Sequence, residues 1–118
     1  MFGEIRNEQG ERLDYSCHEG ADGRLVLIGH GVTGNKDRPF VVALAEGLSA
    51  AGLAALRFSF SGNGKSEGRF VDATVSKEVT DLRAVIEAVG EQRLCYVGHS
   101  MGGAVGVIAA SQEHRIRC

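Results

Sequence analysis

Three apolar runs separated by helix-spaced segments predict an α/β fold with a parallel sheet covered by helices. Leu25-Val26-Leu27-Ile28, Leu53 to Phe58 and Leu94 to Val97 are short and continuously apolar, as expected of strands buried on both faces. Between them run segments with apolar residues at helical spacing. Strand–helix alternation of this kind closes into parallel neighbours through crossover helices.

The elements follow in order. Glu4 to Arg6 and Leu13 to Cys17 predict an antiparallel hairpin around Asn7-Glu8-Gln9-Gly10. After the first apolar run comes a glycine-rich loop, His30 to Arg38, and then Pro39, a residue suited to the first turn of a helix. Phe40, Leu44, Leu48 and Ala51 form the stripe of that helix, and Gly52 ends it. The second apolar run leads into a polar loop, Ser59 to Asp72. Thr74 is placed to cap a helix with the stripe Val75, Val79, Leu82, Ile86 and Val89. The third run leads directly into a small-residue helix, Met101 to Ala110.

Composition narrows the function classes. The chain has 118 residues, 43% of them hydrophobic, and a formal charge of −2, which suits one globular domain or part of one. Its basic residues are scattered, so no nucleic-acid surface is expected. No apolar run approaches the roughly 20 residues of a membrane span, and none near the amino terminus has the form of a signal peptide. Cys17, Cys95 and Cys118 are an odd number at wide spacing, without metal or redox pattern. They point to a reduced, cytoplasmic setting, with Cys95 as a small core residue.

The chemistry lies in Gly98-His99-Ser100-Met101-Gly102. With 17 glycines in the chain, a serine so flanked arises by chance with a probability of about 0.16, so context has to decide. Here the motif follows a buried strand and opens a helix, the setting of a strained turn that raises a serine nucleophile. Gly98 and Gly102 leave room for the turn, and the helix start directs its dipole and free N–H groups at the hydroxyl. A second donor for a developing oxyanion is expected from His30-Gly31-Val32-Thr33-Gly34, after the first buried strand. Met101 and Val32 are the assigned donors, with Thr33 the alternative to Val32. Gly62-Asn63-Gly64-Lys65-Ser66 imitates a phosphate loop, but Ser59 stands where that pattern needs glycine. Of the histidines, His30 reads as structural, His18 lies in the hairpin region, and His99 is held in the turn. His114 lies about 15 Å beyond the serine along the helix.

GHGVTGNKD (29–37), LRFSFSGNGKSEGRF (56–70), TVSKEVTDL (74–82) and YVGHSMGG (96–103) together resemble the α/β-hydrolase superfamily. Within it they are similar to the feruloyl/cinnamoyl-esterase-like and serine-aminopeptidase-like groups. The resemblance implies hydrolysis of carboxylic esters or related acyl compounds through an acyl-serine at Ser100, without metal or cofactor, on a small acyl-ester substrate. Two departures stand out. Ser59 replaces an aspartate frequent in the family, which is expected to weaken that loop's hydrogen bonding. The family's acid and histidine lie beyond later strands, so residues 1–118 read as a single, incomplete domain whose third buried strand forms an open sheet edge. The alternative is a non-catalytic fragment that pairs with a partner through that edge.

Overall fold

The computed structural model describes residues 2–118. Ile5–Arg6 (β1) pairs antiparallel with Arg12–Leu13 (β2). The chain then bends at Asp14, whose N–H donates to Ser66 Oγ and whose carbonyl accepts from Ser59 N–H. The expected second hairpin strand is therefore split. Its latter part, Tyr15–His18 (β3), leaves the hairpin and joins the main sheet.

That sheet is completed by Arg24–Gly29 (β4), Ala54–Phe58 (β5) and Arg93–Gly98 (β6), in the order β3-β5-β4-β6. β3 runs antiparallel to β5, while β4 is parallel to both β5 and β6. The β4–β6 register ends with Gly29 opposite Gly98. The loops leaving these two strands consequently start side by side at the carboxyl end of the sheet, where open α/β sheets place ligands.

Three helices cover the sheet. Pro39–Ala50 (α1) has its proline in the first turn and lies over Val26, Ile28 and Ala55. Its buried residues are Val41 and Ala45, whereas Phe40 is half exposed at the mouth of a cleft. Of the expected stripe, Leu44 and Leu48 pack against this core beside Val41 and Ala45, while Phe40 and Ala51 are exposed. Val75–Val89 (α2), capped by the Thr74 side chain on Lys77 N–H, and Met101–Gln112 (α3) cover the opposite face. There Val79, Leu82, Ile86, Val105 and Ala109 close over Leu25, Leu27, Leu56, Phe58 and Phe60. Burying such side chains is worth about 1.5–3 kcal/mol each, which makes this face the main source of stability.

The edge of β6 is not bare. Arg117 N–H donates to Leu94 O, Tyr96 N–H donates to Cys118 O, and Leu94 and Ile116 form a parallel bridge. Cys118 is also disulfide-bonded to Cys95, with 4.5 Å between their Cα atoms. β6 remains the last strand of the sheet, as expected, but its edge is covered at Leu94 and Tyr96; Cys95 packs against the core, as expected, yet is paired rather than free. The spacing of the cysteines conceals the pairing, because α3 returns the chain to the side of the strand that holds Cys95. No helix among the described residues is long and apolar enough to cross a membrane.

Candidate active site

Ser100 stands between the last residues of β6 and the first turn of α3, exposed, with φ 57° and ψ −120°. Such a conformation is costly for any residue with a Cβ and is concentrated at functional sites. Its side chain makes no hydrogen bond to the helix it precedes. The turn is tight: a Cβ on Gly98 would run into the Gly102 carbonyl, and one on Gly102 would lie 2.5 Å from His30 O. The turn is tied to the sheet by His99 N–H donating to Gly29 O at 3.1 Å.

Gly31 lies directly against the serine, since a Cβ there would sit 3.0 Å from Ser100 Cβ. Gly31 O accepts from Gly34 N–H at 3.0 Å, closing a turn with Val32 and Thr33 at its centre. Thr33 has φ 61°. A β-branched residue in that region is a strong outlier, because such turns normally place glycine or asparagine there. Among the described residues, Thr33 and Ser100 are the two non-glycine residues with positive φ. Both line one cleft of about 250 Å³, together with Val32, Phe40 and His99.

His30 holds this loop in place. It is 1% exposed, and its Nε2 accepts from Phe60 N–H at 3.0 Å. Nδ1 must therefore carry the proton, and it donates to Gly31 O at 2.7 Å. Burial pulls its pKa below the ordinary histidine range, against the opposing effect of the Gly31 bond. The ring is neutral and fully engaged. The other histidines are also occupied elsewhere or remote. His18 Nε2 accepts from Arg57 Nε, and the exposed His99 packs at a 60° tilt against Phe40 with 4.7 Å between centroids. His114 lies past the end of α3.

Val32 lines this cleft, and Met101, the first residue of α3, follows Ser100 directly. Among the described residues, neither amide donates to a protein acceptor, as expected for a loop tip and for the first turn of a helix. The exposed side chains of Val32 and Phe40 give the cleft apolar walls. The arrangement sets the exposed Ser100 side chain in a cleft with apolar walls. Among the described residues, no cluster of three or more His, Cys, Asp or Glu could hold a metal ion.

In the loop after β5, polar side chains bond to the loop's own backbone. Ser66 Oγ donates to Ser59 O, and Asn63 Nδ2 donates to Ser61 O. Ser59 accepts from Lys36 N–H at 2.9 Å. Gly64 closes over it, with a Cβ there only 2.9 Å from Ser59 Oγ, so a longer side chain would need the loop to move. Sequence reasoning missed the buried acids beneath this loop. Asp81, 0% exposed, accepts from Asn7 Nδ2, Ser61 N–H and Ser61 Oγ, pinning hairpin, loop and α2 together.

Residues 24–118 match the model of the alpha/beta hydrolase fold family. The mouse mitochondrial palmitoyl-protein thioesterase ABHD10 is 34% identical over 83% of this chain and 33% of its own length. The structure of Est1E from Butyrivibrio proteoclasticus with ferulic acid bound is 31% identical with a TM-score of 0.87. The alignment covers 96% of this chain and 48% of that one. The esterase Pf2001 of Pyrococcus furiosus is 28% identical with a TM-score of 0.88, over 98% and 47% of the two chains. The chain thus spans about a third of the curated relatives it matches and about half of these solved chains. By fold, by motif order and by the residues matched, the chain belongs to the alpha/beta hydrolase fold family.

Proposed function

We propose that this chain carries the nucleophile and oxyanion half of a serine hydrolase of carboxylic esters or related acyl compounds. In this reading Ser100 Oγ attacks the acyl carbonyl, and the Met101 and Val32 N–H groups stabilise the oxyanion as it forms. Collapse of the tetrahedral intermediate expels the alcohol or thiol and leaves an acyl-serine, which water then hydrolyses. The observation that carries the reading is the pairing of the two strained residues, Thr33 and Ser100, in one cleft with free amides. Strain of this kind persists where the surroundings enforce it, and it holds the groups in place before substrate arrives.

A general base is still needed, and no histidine of residues 2–118 hydrogen-bonds to Ser100. We place the base and its orienting acid in the part of the hydrolase domain that the relatives have beyond the matched region, which makes residues 1–118 the amino-terminal portion of one domain. The apolar walls formed by Val32 and Phe40 suit an apolar acyl group, in ester or thioester linkage. The alternative, a non-catalytic fragment docking through the β6 edge, is weakened because Ile116 to Cys118 already take up that edge at Leu94 and Tyr96. The Cys95–Cys118 bond weighs against the cytoplasmic setting, since disulfides persist mainly in oxidising compartments.

The test is hydrolysis of p-nitrophenyl butyrate by the gene product that carries this chain. Turnover is expected, and Ser100→Ala should lower kcat by at least about 10³-fold with the fold retained. Absence of turnover, or turnover unchanged in Ser100→Ala, overturns the reading.

A further inference from the structure

We infer that Tyr96 is a positioning residue for the oxyanion donors, through a hydrogen bond from its hydroxyl to the Gly102 carbonyl; this rests on the nucleophile reading above. Tyr96 belongs to β6, four residues before Ser100, with its ring on the α2–α3 side of the sheet. Its Oη donates to Gly102 O at 2.7 Å. That carbonyl is the group packed over Gly98, so the bond holds closed the turn that carries Ser100.

The ring also occupies space that two glycines leave for it. A Cβ on Gly29, the last residue of β4, would overlap the Tyr96 hydroxyl, and one on Gly106 of α3 would overlap the ring edge. Gly29 accepts the hydrogen bond from His99 N–H and leads into the His30-Gly31-Val32 loop. Gly102 in turn packs against Gly29 and His30 backbone, a Cβ there lying 2.8 Å from Gly29 O. One side chain therefore touches both segments that carry the proposed donors, as spacer against Gly29 and as anchor on Gly102. The separation between Val32 N–H and Met101 N–H depends on that contact. Burial, with the nearby Glu78 charge adding to it, pushes the ionisation of the phenol up, so Tyr96 remains a donor at ordinary pH.

Tyr96→Phe keeps the ring and removes only the anchor. In amide NMR of the gene product that carries this chain, the Val32 and Met101 resonances should shift. Tyr15→Phe is the control, because it removes a tyrosine hydroxyl bonded away from the cleft, donating to Gly3 O at 2.7 Å and accepting from Phe2 N–H at 3.0 Å. It should leave both resonances in place. In p-nitrophenyl butyrate hydrolysis by the gene product, Tyr96→Phe should lower kcat about tenfold with KM within about twofold, as misplaced donors act in the transition state. Unshifted Val32 and Met101 amides overturn the inference. So does a kcat within about twofold of wild type while Ser100→Ala is inactive. Turnover that survives Ser100→Ala removes the nucleophile reading and the positioning role with it, and is told apart by which variant remains active.

Discussion

At Ser100 a backbone conformation with φ 57° is imposed on a residue that has a Cβ and forms no side-chain bond to repay it. Such strain costs on the order of 1–3 kcal/mol, and glycine is free of it but adds about 0.5–1 kcal/mol of unfolded-state entropy. Ser100→Gly should therefore be about 1 kcal/mol more stable than Ser100→Ala, read as a shift in urea midpoint at constant slope. Equal midpoints would mean that the turn is relaxed. Ser100 was legible in the sequence because glycines on both sides of a serine after a buried strand describe this turn. Thr33 was legible as the alternative donor to Val32 but not as a strained residue, since a β-branched side chain is the last that pattern reasoning assigns to positive φ. Tyr96 read as a strand residue and nothing more, because its role depends on glycines 67 residues before it and 10 residues after it in the chain.

Helix α2 shows what an apolar stripe reveals and what it hides. Thr74 and the run from Val75 to Val89 marked its ends and its packed face, but the same face also buries Glu78 and Asp81. A reading that counts apolar positions passes over acids at those spacings. Asp81 is satisfied by Asn7 and Ser61. Glu78 is not so matched: burial, and then the Asp81 charge, raise its pKa to about 7 from an ordinary 4.5. The folded state thus binds a proton that the unfolded state has released. Its stabilisation is complete below about pH 4.5 and is lost as the pH rises through about 7. His30, its pKa lowered by burial, acts oppositely, losing stability as the pH falls below about 6.5. Comparing wild type with Glu78→Gln cancels the histidine. The variant should gain about 2–3 kcal/mol relative to wild type between pH 4.5 and 8, measured by urea denaturation at each pH. Parallel pH profiles would show that Glu78 is solvated in the folded state.

Across the whole molecule, the parallel sheet followed from the alternation of apolar runs and helical stripes, while the strand order and the fate of the β6 edge did not. Both depend on contacts between distant segments. Asp14 turns β3 away from its hairpin and onto β5, and α3 returns Ile116 to Cys118 to the side of β6. The Cys95–Cys118 disulfide closes a 23-residue separation around α3, the helix whose first turn carries Met101. Cross-linking a loop of that length restricts the unfolded chain by about 3 kcal/mol. Reduction with dithiothreitol should accordingly lower the unfolding free energy by about that amount, and it should release a segment that covers apolar strand edge. The Cys95→Ser/Cys118→Ser variant should show the lower value with or without reductant, and reduced protein should associate at concentrations where oxidised protein is monomeric by light scattering. Equal urea midpoints for oxidised and reduced protein would show that the bond adds nothing to the fold. In that case the backbone bonds from Tyr96 and Arg117 are what hold the edge strand in place.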